Sequence, residues 1–474
     1  MKIQSRLKAS YPAPTFKEMM QILFCIALPN VFFLAVAGYS ATSRPLLNID
    51  YLIALFFLLI PWSGSRISGG LFFIVAVCFD VLMLVIQIFP FMDFAAIHYL
   101  LPFVSVAPMR YIAAIAGLIV CSSLILWINL YLTRRQKIPY PQFLIILLLI
   151  FSYPFMALGF TYTEFKGILG RDNYYIAHSQ SRLYHEITQS TFWEAANVVP
   201  KLTRLSSTQD SAAQQLYQQY SPKILYIVAE SWGVLRNAEA QKNILAHINA
   251  QQHKLAYIQY GAFQASGATV AGELRELCAL ALENDGFALK KLDKIQFESC
   301  LPRKLAQKGY QTYALHGTSG LLYDRTDWYK KAGFQHTWFG ENFLNLRRCT
   351  AFKGVCDSEL MKVVGQTFKG TQKPLFFYWM TLTSHQPYSE KDIQNQRFDC
   401  KKYNMKQTGD ACHNAQLQTQ FFDDLAQLLE QPEMQGVEVM VVGDHQPPVW
   451  GEEINHIKPL TVAYLHFKVK SIQD

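Results

Sequence analysis

Five apolar stretches crowd the first third of the chain, and that third cannot fold as a water-soluble domain. Residues 19–40, 111–132 and 141–161 carry no charge, residues 45–62 contain only Asp50, and residues 69–90 contain only Asp80. Each is close to the roughly 20 residues that cross a bilayer, with 45–62 the shortest. One apolar run follows another, which argues against a cleaved signal peptide. The expected architecture is an N-terminal all-α transmembrane bundle over residues 1–165.

Orientation follows from basic residues in the short loops. With the N-terminus inside, the inner segments hold Lys2, Arg6, Lys8, Lys17, Arg66, Arg134, Arg135 and Lys137, whereas the outer loops hold Arg44 and Arg110. Five crossings then place the chain after about residue 165 outside the cytoplasm. Asp80 is either a functional intramembrane carboxylate or a group that faces other helices or water. The formal charge of +8 is modest for 474 residues, and no basic block interleaved with aromatics occurs, so nucleic acid is not an expected partner.

Cysteine usage is consistent with this topology. Cys25, Cys78 and Cys121 lie in apolar runs and read as small packing residues. Cys278, Cys300, Cys349, Cys356, Cys400 and Cys412 all follow the last run. An even number in an oxidising compartment points to disulfides. The sequential pairing, 278–300, 349–356 and 400–412, closes three local loops and is the expected one. Zinc binding by these cysteines is disfavoured because paired CxxC spacing is missing.

Residues 166–220 are polar and aromatic. Tyr174, Tyr175, Phe192 and Trp193 suit a membrane–water interface, and the stretch reads as a juxtamembrane linker, with packing on the following domain as the alternative. From residue 221 to 474 short apolar runs alternate with amphipathic stretches. The runs are 224–229, 255–260, 310–315, 375–382 and 437–442; helical candidates include 270–283, 301–309 and 414–430. Strands alternating with helices predict an α/β domain with a mostly parallel sheet.

Chemistry-bearing residues follow the strands. Run 224–229 ends in Glu230-Ser231, run 310–315 in His316-Gly317, run 375–382 leads to Ser384-His385, and run 437–442 ends in Gly443-Asp444-His445. Ligands of open α/β sheets bind beyond the carboxyl ends of the strands. Carboxylate oxygen and imidazole nitrogen suit zinc or manganese. Thr269, in SGATVAGELREL, opens a helical pattern after Gly267. The plain reading is a helix cap. The same placement sets its hydroxyl among free backbone N–H groups, where an anion binds, and a divalent metal turns such a hydroxyl into a nucleophile.

The ordered set ILYIVAESWG, SGATVAGELREL, HGTSGLLYDRTDWYKKAGF, SHQPY and GDHQPP resembles lipoteichoic acid synthases and phosphoethanolamine transferases, sulfatase-like members of the alkaline phosphatase superfamily. The resemblance implies an alkaline-phosphatase-like outer domain. It implies Glu230, Thr269, Asp444 and His445 as ligands of one metal, Thr269 as nucleophile, and His316, Tyr323, Arg325 and His385 as contacts to phosphate or head group. Tyr323 stands where the synthases have tryptophan, which leaves head-group preference open. The cysteine-rich outer domain is similar to the transferases of Gram-negative periplasm. This implies a bacterial inner membrane, a phosphatidylethanolamine or phosphatidylglycerol donor, and a surface glycan or lipid acceptor.

Taken one at a time, His316 and His385 also fit core histidines, and Arg325 fits a surface ion pair. A sulfatase nucleophile needs a C-x-P-x-R-type motif, whereas Cys278 is followed by Ala-Leu-Ala. The alternative of another class is a non-catalytic, lipid-binding membrane regulator on the same fold.

Overall fold

A computed structural model describes residues 15–40, 42–88 except 43 and 61, 109–135, short pieces between 165 and 216, and 221–471 except 284–286 and 450. The chain divides into two compact units; one contains the apolar helices and the other contains Asn197–Asp474.

In the first unit the helices are α1 (Phe16–Ser40), α2 (Ile49–Leu59), α3 (Ser63–Ile88) and α4 (Met109–Arg135). Among the described residues three of them, α1, α3 and α4, are long and apolar enough to cross a membrane. They match three of the five expected runs. The run 45–62 folds instead as α2, whose 11 residues are too short for a straight crossing. Asn48 caps α2, its side chain accepting from the Asp50 amide. The run 141–161, the five-crossing count, and Tyr174, Tyr175, Phe192 and Trp193 as interface anchors fall outside what the described residues show.

Asp80 does not face water. It is fully buried and takes Arg44 Nε at 2.9 Å and Nη2 at 2.8 Å, with Tyr51 Oη donating at 2.8 Å. Asn30 completes the cluster, its Oδ1 accepting from Arg44 Nη2 at 3.1 Å and from the Asn48 amide at 2.8 Å. A charge in an apolar bundle persists only when paired in this way.

The second unit is a twisted α/β sheet. Its labelled elements are β1 (Lys223–Ala229), β2 (Gly233–Leu235), β3 (Leu255–Gln264), α5 (Thr269–Cys278), β4 (Gln311–His316), α6 (Arg325–Ala332), β5 (His336–Trp338), α7 (Asp357–Gly370), β6 (Leu375–Met380), α8 (Asp410–Leu429), β7 (Glu438–Gly443) and β8 (Ile457–Val469). The strand order is β5-β4-β6-β1-β7-β8-β2, and β3 also pairs with β8. From β5 to β7 every pairing is parallel; β8 runs antiparallel to β7, β2 and β3.

The central strands are buried on both faces, so they read as continuous apolar runs. Alternate residues serve opposite faces. Leu225, Ile227, Phe377, Trp379, Val439 and Val441 join the core that α7 and α8 cover, with Phe368 and Phe421 against Phe377 and Trp379. Tyr226, Phe376 and Tyr378 face the other way, where Tyr329 of α6 meets Tyr378. The 13-residue β8 was not legible as a strand, and the run 255–260 belongs to an antiparallel ribbon with it rather than to the parallel sheet.

Candidate active site

Strand register sets the site. His316, Met380, Val228 and Val442 lie in one row across β4, β6, β1 and β7, and Ala229 pairs with Gly443 one step further. The next residues, Glu230 and Asp444, therefore emerge side by side, on strands about 4.8 Å apart. Ser231 bends away with φ 55° and donates its amide to Asp444 Oδ1 at 2.8 Å and its hydroxyl to Glu230 Oε1 at 2.8 Å. The His445 amide also binds Asp444 Oδ1, at 2.7 Å. Gly443 is required at this crossing, because a Cβ there would lie 2.0 Å from the Trp232 carbonyl oxygen.

Thr269 arrives on α5. The helix begins with Ala268 in extended conformation as its N-cap, without a side-chain hydrogen bond. Thr269 is thus the first helical residue rather than the cap. Its hydroxyl donates to Glu230 Oε2 at 3.3 Å. Nine of the helix's ten residues are buried, and Gly272 permits the close approach: a Cβ there would lie 2.9 Å from Asp444 Cα. Arg275 then caps the end of β7, donating to the carbonyls of Gly443 at 2.9 Å and Asp444 at 3.2 Å. The helix ends at Ala279, with φ 54°, rather than running to 283, and residues 280–282 pair with 202–204 as a short ribbon.

Glu230, Asp444 and His445 each offer a ligand atom within 4.8 Å of the others, and all are buried. His445 Nε2 lies 3.2 Å from Asp444 Oδ2 and 3.6 Å from Glu230 Oε1. Its Nδ1 donates to the Gln446 carbonyl at 2.8 Å, which leaves Nε2 to face the carboxylates. Burial pushes the Glu230 carboxyl up. Burial, and then repulsion from Glu230, pushes Asp444 up to about 6. Burial opposes a charge on His445, but the two carboxylates outweigh it and raise its pKa.

This donor set fits a divalent cation. Asp444 Oδ2 is buried yet accepts no hydrogen bond among the described residues. A buried carboxylate oxygen left in that state is costly unless a cation meets it. Two carboxylates and an imidazole are ligand types of zinc and manganese.

The remaining expected residues surround this cluster. His316 is buried and donates Nδ1 to the Met380 carbonyl at 2.9 Å; burial, then Arg325, holds its pKa well below the usual value. His385 donates Nδ1 to the Gln386 carbonyl at 2.5 Å and packs edge-on against Phe352; burial lowers its pKa to about 4. Both are therefore neutral near pH 7, with Nε2 as the unprotonated nitrogen. Arg325 is not a surface group but 1% exposed, and its guanidinium lies 5.1 Å from the Tyr323 ring centroid. Its charge acts on Glu230, His316 and His385.

Sequence reasoning passed over Ser231, Arg275 and Glu273. For Arg275 and Glu273 the signal was present in ELRE, a charged stretch inside a helix whose whole circumference is buried. The six outer cysteines form Cys278–Cys300, Cys349–Cys356 and Cys400–Cys412. The first ties the end of α5 to the start of the short helix Leu301–Gln307, and the second closes the loop that carries Phe352.

Residues 222–462 match the sulfatase family. No curated protein matches the chain. Among solved structures, the chain is similar to the lipoteichoic acid synthase LtaP from Listeria monocytogenes (15% identity, TM-score 0.41), over 52% of this chain and 65% of that one. It is similar to the Streptococcus pyogenes phosphoglycerol transferase GacH (15% identity, TM-score 0.37), over 54% of this chain and 72% of that one. It is also similar to the periplasmic domain of EptC from Escherichia coli in complex with zinc (13% identity, TM-score 0.36), over 58% of this chain and 78% of that one. The match thus spans just under two thirds of the Listeria protein. With more than half its length in the family match, the chain belongs to the sulfatase family.

Proposed function

We propose that the protein is a membrane-bound, metal-dependent phosphotransferase that moves a phosphoethanolamine or phosphoglycerol head group from a phospholipid to a cell-envelope glycan or lipid. The observation that carries this reading is the meeting of the Thr269 hydroxyl, at the first position of a buried helix, with Glu230 in the cluster of Asp444 and His445. In this reading residues 1–165 anchor the chain in a bacterial inner membrane, 166–220 link, and 221–474 form a periplasmic catalytic domain near its lipid donor.

Glu230, Thr269, Asp444 and His445 would hold one zinc or manganese ion, which supplies Lewis-acid stabilisation of phosphate charge and lowers the hydroxyl pKa. Thr269 Oγ1 attacks the head-group phosphorus, and Glu230 Oε2 is the carboxylate oxygen within reach of its proton. The bond from phosphorus to the diacylglycerol oxygen breaks, and that oxygen takes up a proton. Thr269 then carries the head group as a phosphodiester. An acceptor hydroxyl attacks the same phosphorus, loses its proton, and returns the Thr269 hydroxyl.

Arg325 contributes a permanent charge to the transferring oxygens. His385 and His316 offer neutral Nε2 atoms that relay protons of the acceptor and leaving alcohols. Tyr323, against the Arg325 guanidinium, contacts the head group.

The test is the intact mass of the full-length, metal-loaded protein after incubation with phosphatidylethanolamine or phosphatidylglycerol. A gain of one head-group phosphate, missing in Thr269→Ala, supports both donor and nucleophile. Loss of the adduct and of diacylglycerol release with both lipids would favour the non-catalytic regulator.

A further inference from the structure

Glu273 is the most completely buried charge next to the site, at 0% exposure, and the mechanism above gives it no task. It lies four residues after Thr269 on α5, so the two share a helix face. Each of its oxygens takes two neighbours. Oε1 accepts from Tyr378 Oη at 2.9 Å and from Tyr329 Oη. Oε2 accepts from Arg325 Nε at 3.0 Å and lies 2.8 Å from Nη2. The carboxylate is thus satisfied on both oxygens and fixed in place.

Arg325 has five N–H groups. Nε and one hydrogen of Nη2 face Glu273, and Nη1 donates to the Leu322 carbonyl at 3.3 Å. Among the described residues two N–H groups remain without a partner, one on each Nη. A planar guanidinium held on one side in this manner presents a fork whose direction is already set, and such forks bind phosphate oxygens bidentately.

We infer that Glu273 is the positioning residue that aims Arg325 at the transferring phosphate and ties that fork to the helix bearing Thr269. Nucleophile and phosphate clamp then move as one body, joined through one turn of α5. The inference rests on the reading of Arg325 as a phosphate contact.

The experiment measures inorganic phosphate affinity and thermal midpoint of the full-length protein in detergent, with zinc present. The variants are Glu273→Gln, Arg325→Gln, their combination, and Phe334→Leu. Phe334 packs on Tyr329 and Tyr378 and serves as a control for loosened packing. Glu273→Gln is expected to weaken phosphate about tenfold, since misplacing a positioned group by a fraction of an ångström costs on that scale. The double variant is expected to bind no more weakly than Arg325→Gln alone, because the two residues act as a unit. Phe334→Leu is expected to lower the thermal midpoint and leave phosphate affinity intact. Where Glu273→Gln does not fold, Glu273→Asp keeps the charge but retracts it by one methylene, and weakened phosphate binding is expected again.

Phosphate affinity within twofold of wild type in the Glu273 variants, with Arg325→Gln strongly impaired, overturns the role of Glu273 and leaves the Arg325 reading standing. Equal weakening by Phe334→Leu also overturns it. Unchanged affinity in Arg325→Gln removes the Arg325 reading and this inference together.

Discussion

Thr269 Oγ1 donates to Glu230 Oε2 at 3.3 Å, joining the first turn of α5 to the end of β1. The contact links two segments 39 residues apart in sequence. It fixes the hydroxyl where a phosphate can meet both it and the helix N-terminus. Thr269→Ala should therefore leave folding intact and reduce diacylglycerol release by about a thousandfold or more, the scale of losing a nucleophile. Thr269→Ser should keep measurable turnover. An alanine variant with near-normal release would end the nucleophile assignment.

Metal removal gives a second expectation, read without turnover. Two buried carboxylates repel each other at the site, and Asp444 Oδ2 accepts no hydrogen bond among the described residues. A cation that binds the folded state alone stabilises it by mass action, about 2.7 kcal/mol at a hundred times its dissociation constant. Chelation should lower the thermal midpoint, and zinc or manganese should restore it. In Asp444→Asn the restoring effect should shrink. A midpoint indifferent to chelator and metal would argue against a cation at these residues.

The low pKa of His385, about 4 through burial, predicts a pH dependence of stability. The folded value lies below the unfolded one near 6.5, so between these values the unfolded chain binds more protons. Stability contributed by neutral His385 is present above pH 6.5 and is lost as pH falls toward 4. From pH 7 to 5 this amounts to about 2 kcal/mol. Asp357 and Asp424, both pushed up to about 6 by burial first, act in the opposite sense, so the difference between variants is the informative quantity. The stability advantage of wild type over His385→Gln should fall between pH 7 and pH 5. A constant difference would show that His385 titrates normally.

Arg275 offers a further test. It donates to the carbonyls of Gly443 and Asp444 and pairs with Glu276 at 2.6 Å, which holds the end of β7 beside α5. Lysine cannot span two carbonyls and a carboxylate at once. Arg275→Lys should weaken metal affinity by about tenfold, as loss of a group behind the ligands does. Unaltered metal affinity would confine Arg275 to packing.

The parallel strands and their terminal residues were legible because buried strands read as apolar runs that stop abruptly at Glu230, His316 and Asp444. The site's inner supports were not. Glu273 and Arg275 lie in a helix buried all round, where charge resembles a solvated face until the sheet is in place. The strand β8 was missed because Lys458, Lys468 and His466 interrupt its apolar pattern; His466 is nonetheless buried and paired with Glu438 at 2.8 Å. Hydropathy marks the run 45–62 as a crossing, whereas the cap at Asn48 and the end at Leu59 shorten its helix to 11 residues.

The Arg44–Asp80 pair in the first unit yields the last prediction. The guanidinium and carboxylate meet through two bonds, at 2.9 and 2.8 Å, with Tyr51, Asn30 and Asn48 filling the remaining positions. Removing one partner leaves an uncompensated buried charge, which costs about 3–5 kcal/mol; replacing both with apolar residues is often close to neutral. Asp80→Leu and Arg44→Leu should each lower the thermal midpoint or the yield of folded protein, and the double variant should recover most of the loss. Phosphate transfer by the recovered double variant should stay near wild type if the pair serves packing alone. Recovered stability with lost transfer would instead make Asp80 a functional intramembrane carboxylate, and stability that falls additively would show that the two residues do not act as a pair.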